Sequence, residues 1–498
     1  MNEPSSTPPL FAFDNSYARL PSGFSAAILP TPVKAPRLIR TNDRLAQSLG
    51  VDPSALRSEH ATQVLAGNIL PAGAEPIAMA YAGHQFGSFV PQLGDGRAIL
   101  LGEVIDRDGV RRDVQLKGAG PTPFSRSGDG RAALGPVLRE YLLSESFAAL
   151  GIPTTRSLAA VATGETVWRE APLPGAILTR VAASHVRVGT FQFFAARGDV
   201  ASVRQLADYV IARHYPHAAA AAVPYRALLD AVIVRQADLI AQWMSVGFIH
   251  GVMNTDNTSI AGETIDFGPC AFMDQYDPST VYSSIDRRGR YAYGNQPTIA
   301  QWNLARLAET LLPLLADTED AALEAANAAI GRFPACFEHA YVQRFGAKLG
   351  LTAVQPEDRV LVEELLDSMA AGRADFTLTF RGLCGITDAA DDVAAVHALF
   401  ADPGILDPWI RRWRERLQRE PMPAGGRGKA MRASNPAFIA RNHLVEAVIV
   451  AGVGEGDFTA FDRLLAVLEH PFEDQPGASR YGLPPRPEQV VQQTFCGT

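Results

Sequence analysis

The sequence predicts an α+β protein in two lobes, because short alternating segments with tight turns fill its first part and long helical patterns fill the rest. Phe89 to Leu93, Arg97 to Ile105 and Val110 to Lys117 read as three antiparallel strands joined at Gly94-Asp95-Gly96 and Asp106-Arg107-Asp108-Gly109. After a glycine- and proline-rich loop, Leu134, Leu138, Tyr141 and Leu142 share one helix face, and Gly151 suits a left-handed stop. Ser157 to Ala162 and Ala176 to Ala183 look like further strands. Beyond Thr190 the pattern turns helical. Tyr225 to Val246 stops at Gly247, and a strand-loop-strand stretch, its last strand ending at Ile265, runs through Gly268. Asn303 to Ala316, Val360 to Ala371, Val393 to Phe400 and Phe438 to Val450 continue as helices, with glycine-rich Ala424 to Gly428 as a mobile connection. The expected division is an N-terminal lobe with its extension at 1–190, a C-terminal catalytic lobe at 191–350, and a helical extension with a flexible tail at 351–498.

Composition narrows the class. A chain of 498 residues with 47% hydrophobic residues can bury two or three packed units without staples. Its net charge of -8 is spread along the chain with no basic run, which argues against nucleic acid. Lysine is used only at Lys34, Lys117, Lys348 and Lys429, so a lysine implies a specific task. Cys270, Cys336, Cys384 and Cys496 are too dispersed for a disulfide framework or a zinc site. Met1 to Leu10 lacks the pattern of a secretory signal, and no apolar run is long enough to span a membrane, so a cytoplasmic monomer is the default expectation.

The chemistry concentrates in His250-Gly251-Val252-Met253-Asn254-Thr255-Asp256-Asn257 and Asp266-Phe267-Gly268. In the protein-kinase catalytic loop a histidine and a metal-binding asparagine stand seven residues apart, and a metal-binding Asp-Phe-Gly follows. His250 and Asn257 keep that spacing, so a protein-kinase-like fold is expected, with Asn257 and Asp266 as hard oxygen ligands for a metal on nucleotide phosphates. Taken alone, Asp-Phe-Gly is a turn. Val252 stands where the kinase base belongs and cannot take a proton, which leaves Asp256 as the nearest carboxylate, or else a turn-former.

Lys117 ends a predicted strand where kinases carry a phosphate-pairing lysine; Glu140 is its expected partner and Glu145 the second choice. Gly-Asp-Gly-Arg-Ala occurs at Gly94 to Ala98 and again at Gly128 to Ala132, the second copy just ahead of a helix N-terminus. Glycine pairs there can turn backbone amides toward an anion, although a hairpin turn explains the first copy equally well. Arg180 and Arg187 occupy the expected adenine hinge, where they suit phosphates better than a base; the plainer alternative is a pair of surface arginines.

These motifs, with Phe13-Asp14-Asn15-Ser16-Tyr17, Ala82-Gly83-His84-Gln85-Phe86-Gly87, Gln115 to Arg126, Tyr291 to Pro297 and Asn435-Pro436 through His443, resemble the SelO (YdiU-type) family over nearly the whole chain. That family comprises kinase-fold protein adenylyltransferases long labelled pseudokinases. The resemblance implies transfer of AMP from ATP to Ser, Thr or Tyr hydroxyls of protein substrates, with Mg2+ or Mn2+ and an inverted nucleotide. UMP transfer with Mn2+ is a related activity. It further implies nucleotide contacts at Gly94, Gly96, Arg97, Lys117, Asp129, Gly130, Arg180, Arg187 and Asp266, a base at Asp256, and metal ligands at Asn257 and Asp266. Because some members carry selenocysteine near the C-terminus, Cys496 and Cys270 form a candidate redox pair. A phosphotransferase and a non-catalytic nucleotide-binding scaffold remain the alternatives.

Overall fold

The computed structural model describes residues 10–388 and 392–494. Its strands are β1 (Ser25–Ala27), β2 (Arg37–Thr41), β3 (Ile77–Met79), β4 (Gly83–Gln85), β5 (Ser88–Val90), β6 (Ala98–Ile105), β7 (Arg111–Lys117), β8 (Ala132–Ala133), β9 (Arg156–Trp168), β10 (Pro172–Ala182), β11 (Phe248–Ile249) and β12 (Ala271–Phe272). The main sheet runs β1-β3-β6-β7-β10-β9-β2, antiparallel throughout, with β8 beside β10. Side chains alternate across it. Ile99, Leu101, Val114, Leu116 and Ile177 enter one core with Leu45, Leu56 and Leu65. Leu100 and Leu178 enter another with Leu134, Leu138 and Leu142 of the helix Leu134–Ala149. The second face also carries Lys117 and Arg180, two residues on from Gln115 and Leu178 respectively, so the period of two aims both at that helix.

The β6–β7 hairpin forms as expected, because Asp106 Oδ1 accepts from the amides of Asp108 and Val110 and closes the turn. Phe89 to Leu93 is a correction: the strand there is β5, paired with β4 in a separate hairpin, and Pro91 supplies no amide to extend it. β9 and β10 outrun the expected Ser157 to Ala162 and Ala176 to Ala183, since their outer ends are partly exposed and carry no apolar alternation. The second strand of the predicted strand-loop-strand unit lies at β12, beyond Gly268; Thr264 makes only an isolated bridge to Thr154.

Helices dominate the remainder, among them Pro224–Ser245, Gln296–Leu315, Phe333–Lys348 and Asp358–Ala371. Three expected elements shift. Val393 to Phe400 shrinks to Ala394–His397. Phe438 to Val450 becomes Asn442–Glu455, because the chain before it is extended: Ala437 and Phe438 bond the Pro471 carbonyl and Arg441 bridges Phe272. Ala424 to Gly428, expected as a loose connection, opens the helix Ala424–Arg432; Gly428 is needed there for close approach to the Cys384 carbonyl.

The C-terminal helices pack back on the Leu134–Ala149 helix. A Cβ on Gly452 would stand 2.7 Å from Leu138, Tyr141 and Phe461 rings are 5.4 Å apart, and Arg139 bonds Asn442 and Glu446. Arg441, 1% exposed, grips Asp375 with both amino groups (2.8 and 3.1 Å) and also Asp274. Residue 494 returns to the loop after Gly268, its amide bonding the Tyr282 carbonyl. Cys496 lies outside the described residues.

Lys348 is buried over the Phe380 ring, 4.4 Å from its centre, and burial pulls its pKa from 10.5 to about 7. Between these values the unfolded chain holds a proton that the folded one lacks, so this group's penalty falls as pH rises. Lys348→Met is therefore expected to stabilise the protein at pH 7 by about 1–3 kcal/mol, under a ceiling of about 5 set by the shift. The gain should shrink toward pH 10, as read from melting curves at both pH values.

Candidate active site

The loop between β11 and β12 is fixed first by His250. Its ring, stacked on Trp243, donates from Nε2 to the Ile265 carbonyl (2.9 Å), so Nδ1 is the acceptor for the Val252 amide. Burial lowers its pKa, which favours this neutral form. The histidine thus ties the loop to the backbone just before Asp266. Thr255–Asn257 is a single 3-10 turn, and the Asn257 amide nitrogen donates to the Val252 carbonyl (3.0 Å). That bond identifies the other end of the Asn257 side chain as oxygen, the atom a hard metal takes. Val252 is buried and contributes only backbone.

Asp266 adopts a left-handed conformation (φ 64°) and collects cations. Arg180 bonds its Oδ1, Lys117 Nζ stands 3.5 Å from that same oxygen, and Arg187 bonds Oδ2 at 3.0 Å. Burial opposes its charge, yet Arg180, then Arg187 and Lys117, hold its pKa well below the ordinary carboxylate value. Lys117 also bonds Glu140 (2.6 Å), whose second oxygen takes Arg180 Nε. Glu145, the second choice, instead serves Arg156, Asn42 and the Ser157 amide. Burial and the neighbouring Arg180 depress the Lys117 pKa, with Arg97 adding to the effect.

Arg187 is held on every side: its guanidinium lies 4.5 Å from the Tyr81 ring centre, bonds the Asp256 carbonyl (2.8 Å) and stands 3.7 Å from Asp95. Its buried Nε has no acceptor among the described residues. A buried cationic donor left over in this way suits an anionic ligand. Asp256 is 6% exposed and burial pushes its pKa up to about 6, a range useful to a base near neutral pH.

The two glycine-rich copies differ. The amides of Gly94, Asp95 and Gly96 already bond the carbonyls of Tyr81, Met79 and Gly94, and a Cβ on Gly94 would run into the Phe124 ring. These amides are therefore taken up within the protein, although the segment is not a hairpin turn, since β5 pairs with β4 and not with β6. The loop leading to the second copy is bound to the first, since Thr122 and Ser125 hydroxyls donate to the Asp95 and Gly96 carbonyls. Asp129 is paired with Arg169 (2.9 Å), and Gly130 accepts from the Gly120 amide. Ala132–Ala133 pairs with β10, so the last residue of this copy lies in a short strand and only Ala133 stands between it and the helix that starts at Leu134.

The donor set fits a divalent cation shared with phosphates. The Asp266 carboxylate and the Asn257 amide oxygen would hold such an ion, which would supply charge neutralisation beside Arg180, Arg187 and Lys117. No cluster of three or more His, Cys, Asp or Glu suited to a metal occurs among the described residues.

Several participants escaped the sequence reading. Asp95, 2% exposed, accepts from the Met79 amide and Gln115 and faces Arg187, although its glycine neighbours mark it only as a turn. Gln85 and Asn254 act across long separations and leave no local pattern.

The sequence model of the family described as protein adenylyltransferase SelO matches residues 10–469. Two relatives, from Rhodopseudomonas palustris and Bradyrhizobium sp., are each 63% identical over 488 residues, covering 98% of this chain and 99% of theirs. A third, from Bradyrhizobium diazoefficiens, is 62% identical over 490 residues. All three are named protein nucleotidyltransferase YdiU, which sets the enzyme class. The chain belongs to the SelO family.

Proposed function

We propose that the protein transfers AMP from ATP to Ser, Thr or Tyr hydroxyls of other proteins and releases pyrophosphate. The observation that carries this reading is the convergence of Arg180, Arg187 and Lys117 on Asp266, with Arg187 also bonding the carbonyl of the buried Asp256. In this reading, residues 1–190 and 191–350 act as two kinase-like lobes, and 351–498 braces them. The hinge arginines bind phosphate where a kinase would hold adenine, so the nucleotide lies inverted, with its β- and γ-phosphates toward them and its α-phosphate toward the substrate.

The substrate hydroxyl gives its proton to Asp256 as its oxygen bonds to the α-phosphorus. The bond from that phosphorus to the bridging oxygen of the β-phosphate breaks, and pyrophosphate leaves with the electron pair. Arg180 and Arg187 stabilise the charge that develops on the leaving group, an effect strengthened by their burial. Mg2+ or Mn2+ bound at Asn257 and Asp266 would supply further charge neutralisation.

Label position provides the test. ATP labelled at the α-phosphate is expected to mark protein and γ-labelled ATP to leave it unmarked, with intact mass reporting AMP additions. Label from the γ-position alone would establish phosphoryl transfer instead, and labelling unchanged in both Asp266→Ala and Asp256→Ala would remove these residues from the chemistry.

A further inference from the structure

The hairpin β4–β5 sits directly on the catalytic loop, and consecutive residues of one hold consecutive residues of the other. The His84 amide donates to Thr255 Oγ1 (2.6 Å), Gln85 Nε2 donates to Asp256 Oδ2 (3.0 Å), and the Phe86 amide donates to Asn254 Oδ1 (3.0 Å). The two outer contacts are reinforced from outside the hairpin. Thr255 donates to Gln192 Oε1, and Gln192 Nε2 meets His84 Nδ1 at 2.8 Å. Tyr291 donates to Asn254 Oδ1 at 2.6 Å and packs its ring 5.1 Å from Phe86.

The fit leaves no room for a side chain at Gly83, where a Cβ would stand 2.6 Å from Asp256 Oδ1. Within this clamp only Gln85 touches the Asp256 carboxylate with a side-chain donor. Asp256 Oδ1, buried as well, has no hydrogen-bond partner among the described residues. The two oxygens are therefore distinguished: Oδ2 is anchored by Gln85 and Oδ1 is packed against Gly83.

We propose that Gln85 is a positioning residue for the transfer reaction, holding Asp256 through Oδ2 so that its carboxylate keeps one rotation for the proton of the incoming hydroxyl. This assignment rests on the reading of Asp256 as the base. A carboxylate tethered at one oxygen keeps a single rotation, and orientation of a proton acceptor contributes strongly to rate. Without the tether the carboxylate can rotate, and proton transfer suffers while nucleotide binding, which lies with the cations on Asp266, does not.

Gln85→Met keeps the length and removes the donor. It is expected to lower kcat for AMP transfer by about 10- to 100-fold with the KM for ATP and the melting temperature unchanged. In an Asp256→Asn background, where residual transfer is measured with α-labelled ATP, the same substitution should have no further effect, since there is no carboxylate left to orient. Equal losses in both backgrounds, or a raised KM for ATP at unchanged kcat, would overturn the role of Gln85 while leaving the base intact. Full transfer by Asp256→Asn alone would overturn the base assignment, and the positioning role with it.

Discussion

Asp266→Ala is expected to lower AMP transfer by about a thousandfold or more, since on the proposed reading several kcal/mol of metal-dependent charge stabilisation would be lost with this carboxylate. The same substitution should tighten ATP binding measured without metal. Both Asp266 oxygens are engaged by Arg180, Arg187 and Lys117, and a triphosphate entering without a metal must compete with that carboxylate for the same cations. Deleting the competitor leaves them to the phosphates. The two measurements, titration of nucleotide in a chelator and transfer of α-label with metal, should move in opposite directions. A variant that weakens metal-free ATP binding would show that the cations need Asp266 to stay in place more than they are blocked by it.

Arg441→Met is expected to have the largest effect on stability, about 3–5 kcal/mol, as for other buried ion pairs that lose one partner. Arg441 compensates Asp375, which is itself buried, as well as Asp274, and its Nε bonds the Gly482 carbonyl. Truncation leaves Asp375 without its paired cation. Denaturant unfolding should also show that Asp375→Asn combined with Arg441→Met costs less than the sum of the two single changes, because the double variant no longer buries an uncompensated charge. Full additivity would mean that the two residues act independently.

The parts legible in the sequence are those whose cause is local. The spacing of His250, Asn257 and Asp266 marks one loop, and the alternation ending at Lys117 together with the helical period around Glu140 brings those two within 2.6 Å. Arg180 and Arg187, read as poor neighbours for an apolar base, are buried and both bond Asp266. What remained hidden depends on distant partners. β5 reads as a sheet strand until its partner is known to be β4. Ala424 to Gly428 reads as a loose link because glycine used for close approach looks the same in sequence as glycine used for flexibility. Gln85 reaches across 171 positions to Asp256, and no pattern within either segment announces it.

The Glu140-bearing helix is clasped by residues about three hundred positions later, Arg139 reaching Asn442 and Glu446. Contacts this remote in sequence close late in folding. A ribosome-bound chain that has been made as far as Asp266 therefore still lacks the residues that clasp Arg139 beside Glu140.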